Sequence, residues 1–199
     1  MNRDEMVRLL HNTRGHLKTV LHHKALVCIG CFRIGLYSQG LLHDLSKFSP
    51  EEFIAGVRFY QGTESPNNEE RKKYGASRAW MHHKGRNRHH YEYWNDYNVN
   101  KDPEHPIVSV KMPVRYVAEM FVDRVSASKV YRGSAYRDSD PLAYYRHGNA
   151  ARLMHPETAA LLEKLLKKLA EEGEDATYAY IRRCLHKSGK NRKFKGEQK

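Results

Sequence analysis

Residues 39–53, QGLLHDLSKFSPEEF, join two helical signals around a His-Asp pair. Leu41, Leu42 and Leu45 imply a buried helix, predicted from Leu36 to Lys47. Ser49-Pro50-Glu51-Glu52 then starts the next helix. Ser49 caps it, Pro50 suits its first position and Glu52 completes a capping box, and the helix is expected to reach about Tyr60. Between the two signals sit His43 and Asp44. A carboxylate buried without a cation or hydrogen-bond partners is costly, and a metal ion relieves that cost. Neighbouring helical residues point about 100° apart, so both side chains reach one ion only if it sits at the helix edge or end. As a bare dipeptide, His-Asp reads as an ordinary surface pair.

Helical spacing continues on both sides of this stretch. Leu9, Leu10, Leu17, Val20, Leu21, Leu26, Val27 and Ile29 form an apolar pattern over residues 4–33, with Gly15 and Gly30 as candidate interruptions. Residues 61–74 carry turn formers and predict a loop with at most a short helical piece. Helix resumes near Ser77, Gly85 breaks it, and His89–Tyr97 adds a turn or two. After a loop at 98–109, Pro113 begins a long helix to about Val130, with Val114, Val117, Met120, Phe121 and Val125 on one face. Pro141–Ala151 is a short helix. A helix opened by His155-Pro156 carries Leu161, Leu162, Leu165, Leu166 and Leu169 and ends at Gly173, and Ala176–His186 is the last. No alternating strand pattern of useful length and no internal repeat is found. The expected fold class is all-α: a single helical domain over 1–187, with C-terminal helices at 141–187 and a basic, flexible tail at 188–199.

The chain has 199 residues, enough to bury one core, and its 40% hydrophobic and 29% charged composition is that of a globular protein. Lys plus Arg exceed Asp plus Glu by 35 to 23, a formal charge of +12 that predicts attraction to anions such as phosphorylated metabolites, nucleotides, nucleic acid or acidic membranes. Part of that excess lies in the tail. No run of about 18 apolar residues is present, so no membrane span is expected. Charged residues rather than an apolar segment follow Met1, so the expected location is cytoplasmic. Cys28, Cys31 and Cys184 make an odd count that argues against a disulfide framework, and the C-x-x-C pair sits in a helical apolar pattern that reads as buried thiols. Walker A, Rossmann, G-x-S-x-G and zinc-finger patterns are absent.

Thirteen histidines are unevenly placed, with His22, His23, His43, His82, His83, His89 and His90 between residues 22 and 90. Neutral imidazole is the commonest transition-metal ligand, and carboxylates complete such sites. His23 lies on the first helix, and Asp123 lies downstream on an apolar helix within EMFVDR. The ordered set His23, His43-Asp44, Asp123, with LLHDLSK (residues 41–47) and DRVSASK (residues 123–129), resembles the HD-domain superfamily of metal-dependent phosphohydrolases over roughly residues 10–130. More narrowly, the HHK, QGLLHDLSKFSPEEF and HHKGRN-x-HH-x-EYW strings look like a bacterial and phage family of HD type.

The resemblance implies an HD-like helical bundle in which His23, His43, Asp44 and Asp123 hold a divalent metal. His22 is the alternative to His23, which is preferred because Val27 four residues on matches the usual pattern of that helix. Extra histidines between the HD pair and the last Asp imply a second metal, with His83 and either His89 or His90 as ligands; binding phosphate or stacking in the core are the other roles open to them. The expected cofactor is therefore one or two divalent transition metals: Fe, Mn, Ni, Co or Zn.

Lys47, Lys84, Arg86, Arg88 and Arg124 lie beside these ligands and are candidate phosphate-binding cations, or else solvated surface charges. Asn87 either binds substrate or caps the helix that follows it. Glu119, one turn before Asp123, either orients a ligand histidine, acts as a general base or forms an ordinary salt bridge; Asp44, Lys47 and Glu119 are the candidate catalytic groups. The expected activity is metal-dependent hydrolysis of a nucleotide or other phosphate ester, an anionic small-molecule substrate. The alternatives are a di-iron oxygenase, as in HD-type proteins such as the myo-inositol oxygenases, and a non-catalytic nucleic-acid-binding or regulatory module.

Overall fold

The computed structural model describes residues 2–100 and 103–196, with side chains through His186. The protein is all-α: 75% of it is helical, with eight helices and one small two-stranded sheet among the described residues. The expected tail at 188–199 falls on side chains, and from 197 on backbone, that lie outside the described residues.

Helix α1 (Arg3–Ile34) opens on a capping box: Asn2 Oδ1 accepts from the Glu5 N–H at 2.8 Å, and Glu5 Oε2 accepts from the Asn2 N–H at 2.9 Å. It ends at Gly35, whose left-handed φ of 85° turns the chain back. Gly15 and Gly30 do not interrupt it. The buried face is His16, Val20, His23, Val27, Gly30, Cys31 and Ile34, a stripe at alternating four- and three-residue spacing. This corrects the sequence reading in part: Val20 and Val27 point inward as the pattern predicts, but Leu9, Leu10, Leu17, Leu21 and Ile29 are exposed. Close approach decides which stripe goes inward. A Cβ on Gly30 would lie 2.6 Å from Val122 Cγ1, so the two helices meet where α1 is thinnest.

The expected helix over 36–47 is also corrected. Helix α2 (Tyr37–Leu42) stops at His43, and Asp44 takes a left-handed conformation with φ 54° and ψ 26° before a 3-10 turn at Leu45–Phe48. Leu41, Leu42 and Leu45 are exposed rather than buried. Ser49 caps α3 (Pro50–Arg58) as expected, but the Glu52 side chain does not return to complete a box. Helix α4 (Pro66–Tyr74) occupies most of the predicted loop. Pro66 starts it and Gly75, at φ 76°, ends it; its polar sequence gives no apolar stripe to read. Helix α5 (Arg78–Arg86) runs through Gly85, which faces open space in an exposed last turn, and ends at Asn87.

A 3-10 turn at Tyr91–Trp94 leads into β1 (Asn95–Tyr97), which pairs antiparallel with β2 (Ile107–Ser109), Asp96 opposite Val108. Strands of three residues are too short to show alternation in sequence. The remaining helices are α6 (Val114–Arg132), α7 (Asp140–His147) and α8 (Pro156–Gly196), the last broken at Gly173 (φ 81°, ψ 175°) where the sequence predicts a stop.

Helices α1, α6 and α8 build the core. Val27 and Ile34 of α1, Val117, Phe121, Val122 and Val125 of α6, and Leu162, Leu166, Leu169 and Tyr178 of α8 form one buried cluster. Of the predicted α6 face, only Val114 is exposed. A cavity of about 640 Å³ opens between α1, α3, α4, α6 and α7, with His23, Asp44, His83 and Asp123 in its wall. No described helix is long and apolar enough to cross a membrane. Cys28, Cys31 and Cys184 are free, and Cys31 is fully buried beside Gly40.

Candidate metal centre

The break after α2 is what lets adjacent residues share one site. With His43 closing the helix and Asp44 left-handed, both side chains turn inward, and each is only 2% exposed. Asp44 then faces two sets of imidazoles with its two oxygens. Oδ2 lies 3.4 Å from His43 Nε2 and 3.8 Å from His23 Nε2, and Asp123 Oδ1 closes that set at 3.0 Å from His23 Nε2 and 3.6 Å from His43 Nε2. Oδ1 lies 3.3 Å from His83 Nε2 and 3.4 Å from His89 Nε2, and His90 completes the second group. His22 points outward and is exposed, so His23 is the histidine that α1 brings to the centre.

These separations fit a metal. Ligand bonds of about 2.0–2.2 Å place neighbouring donor atoms about 3–3.6 Å apart in tetrahedral or octahedral geometry. The buried Nε2 atoms of His23, His43, His89 and His90, and Oδ1 of Asp44, have no aligned hydrogen-bond partner among the described residues. Buried polar atoms are normally satisfied; four unsatisfied imidazole nitrogens beside two carboxylates form a donor set that a cation would complete. Two groups sharing Asp44 can each hold one ion: His23, His43, Asp44 and Asp123 in one, and Asp44, His83, His89 and His90 in the other.

The far sides of the rings are held by acids. Glu119 Oε1 lies 3.0 Å from His43 Nδ1 and 3.3 Å from His89 Nδ1, and Gln39 Nε2 donates to its other oxygen. His43, His89 and Glu119 also lie close enough to hold an ion, but Glu119 meets both rings at Nδ1, by a hydrogen bond to His43 and a 3.3 Å approach to His89, which leaves both Nε2 atoms facing the centre. Glu119 is buried behind the ligands and does not line the cavity, which corrects its candidacy as a general base.

Glu52 plays the same part on the other side. Its two oxygens lie 2.7 Å from His82 Nδ1 and 2.7 Å from His83 Nδ1. The sequence presents Glu52 only as a capping residue. Its place one turn into a helix that follows the HD pair is the one signal that could have pointed to this role.

Electrostatics follow from this packing. Burial works to raise the Asp44 carboxyl, but His43, Lys47 and His83 overcome it and hold it well below the usual carboxylate range. Asp123 is likewise held low, against burial, by the imidazoles of His23 and His43 beside it. Glu119 is pushed down to about 2 by its two imidazole partners, again against burial. All three acids are therefore anionic at neutral pH. Burial lowers His23 and, with the neighbouring His89 and His83, His90, so both offer neutral nitrogens.

Of the predicted cations, Lys47 and Arg124 line the cavity. Lys47 Nζ bonds Asp44 Oδ2 at 2.7 Å, and the buried Nε of Arg124 has no hydrogen-bond partner among the described residues. Lys84, Arg86 and Arg88 do not line it, which corrects their candidacy. Arg86 bonds the His82 carbonyl, and Arg88 lies against Tyr93 and Tyr116. Asn87 is corrected too: its Nδ2 donates to the His83 carbonyl and to Ser46 Oγ, both at 2.8 Å, so it caps α5 and braces His83. Arg71, stacked on Trp80 in the cavity wall, was not singled out in the sequence because α4 was read as loop.

Fold and site together define an all-helical protein with a buried His/Asp centre able to hold metal. The chain belongs to DUF5662, a family of unknown function, which it matches over residues 12–168, a span that contains every residue of the centre. No curated protein and no solved structure matches it.

Proposed function

We propose that the protein is a metal-dependent phosphohydrolase of HD type that cleaves a nucleotide or another small phosphate ester. The carrying observation is the Asp44 carboxylate between two sets of unsatisfied imidazoles, beside a cavity whose wall bears Lys47, Arg71 and Arg124. Metal bound by these ligands would supply Lewis acidity and an activated water. The chain's own groups do the rest. Glu119 and Glu52 fix ring orientation, Asp44 and Asp123 bring the negative charge that retains a cation, and Lys47 and Arg124 neutralise phosphate oxygens. The cavity volume of about 640 Å³ suits a small molecule rather than a polymer. The order of ligands, His23, His43-Asp44 and Asp123, supports the HD reading.

Elemental analysis of the purified protein beside a His43→Ala, Asp44→Ala double variant, with phosphate release from a broad phosphoester panel, tests this. Bound metal lost in the variant, together with phosphate release by the parent chain alone, is the expected result. Metal without phosphate release would end the hydrolase reading. The nitrogen-rich set of His83, His89 and His90 favours a second reading, a di-iron oxygenase, which requires iron as the bound element and O₂ uptake with a candidate substrate.

A further inference from the structure

The leucines expected to face the core lie together on the outside. Chain direction places them. Gly40 packs on Cys28 and Cys31, Lys24 Nζ bonds the carbonyls of Leu41 and His43, and Asp44 reaches His23. The 37–48 segment therefore runs antiparallel along α1, back toward its middle. Leu41 and Leu42, on the part of the segment that packs along α1, are exposed, as are Leu45 and Phe48 in the turn that follows and Leu17 and Leu21 on α1 itself. Phe32 stacks on Tyr37, ring centroids 5.2 Å apart, and extends the face to the end of α1 beside Ile29. Leu42 is 64% exposed and Leu41 and Ile29 are each 58% exposed.

We infer that this face is the contact between two copies of the chain. Nine large apolar side chains, 36–64% exposed, together offer on the order of 800 Å², the area one partner contributes to a standard stable interface. The composition selects a like surface over an anionic one. Residues 25–42, which carry five of these nine side chains, hold a single charge, Arg33, and that side chain turns away to pair with Glu174 and Asp175; Lys18, Lys24 and Lys47 flank the other four, Lys24 tied to the Leu41 and His43 carbonyls and Lys47 to Asp44. A charge-depleted apolar centre over residues 25–42, with lysines already engaged or flanking it, matches the core and polar rim of an interface between like surfaces. A two-fold arrangement meets the requirement directly, because each copy presents the same patch. Among the described residues nothing else covers it. The segment that carries His43 and Asp44 is then buttressed by the partner on its outer side.

The test is light scattering after size exclusion of the full chain at about 1–100 µM, with Leu42→Glu and Leu41→Glu variants and Leu153→Glu as an exposed control away from the face. The expected result is twice the 23.3 kDa chain mass for the parent and the control, and the single-chain mass for both face variants, with helical circular dichroism retained. A monomeric parent over that range overturns the inference. So does a dimer that survives both face substitutions, which places the contact elsewhere. Co-sedimentation of a monomeric parent with phosphatidylserine vesicles, lost in Leu42→Glu, assigns the face to lipid instead.

Discussion

Replacing Glu119 with Gln separates a positioning group from a proton-transfer group. One carboxylate oxygen sits 3.0 Å from His43 Nδ1 and 3.3 Å from His89 Nδ1, and these rings belong to different ligand sets. The amide keeps the shape but loses the charge that both rings hold at a pKa of about 2, and its NH2 would face the Gln39 Nε2 donor where the second carboxylate oxygen now accepts. Loss of one such orienting partner typically weakens metal binding about 10–100-fold, or about 1.4–2.8 kcal/mol. Because Glu119 serves two ligands, the expected loss lies in the upper part of that range, and Glu119→Leu, which removes the acceptor altogether, should equal or exceed it. Competition titration of Zn²⁺ or Mn²⁺ against a chelator measures this directly and needs no substrate. A general base would give the opposite signature: unchanged affinity with turnover reduced. If Glu119→Gln binds metal within about twofold of the parent, the positioning argument fails.

With metal in both sets, Glu52→Gln should loosen His83 alone among the ligands and lower occupancy of the His83, His89, His90 set while α3 keeps its Ser49 cap; equal loss from both sets would show that they are not separable. Burial beside Lys47 lowers His16 from 6.5 to about 4. A depressed histidine pKa contributes stability that is fully present above pH 6.5 and is lost as pH falls toward 4, by up to about 3 kcal/mol. His16→Gln should therefore flatten urea-measured stability between those limits, and an unchanged slope would remove His16 from the account. Gly30→Ala forces a Cβ within 2.6 Å of Val122 and should destabilise by about 1–3 kcal/mol in denaturant melts, whereas Gly85→Ala, facing open space, should not destabilise.

The signals that were legible in the sequence are those made by short-range chemistry. Ser49-Pro50 starts α3, Gly173 breaks α8, and the leucines of α8 face the core, all as the spacing predicts. His23, His43, Asp44 and Asp123 converge as the ordered motif implies. What failed was the choice between competing stripes. Helix α1 carries two apolar faces, and the one with more leucine lost to the one with Gly30, because only a partner helix reveals where close approach is needed. The same blindness to context made Gly85 a breaker and α4 a loop. Glu52 and Arg71 were missed for a related reason: their partners lie across the fold, and no local spacing encodes them.

Asp44 has a consequence for anyone who would move this centre into another scaffold. Its left-handed backbone admits glycine, asparagine and aspartate without much strain, and the ligand role then selects the one of these with an anionic side chain. Two independent filters, one conformational and one chemical, thus agree on a single residue type. A transplanted His-Asp pair on an unbroken helix would splay its side chains and hold nothing. The portable unit is the bend with its flanking helix end, and its letters alone are not enough.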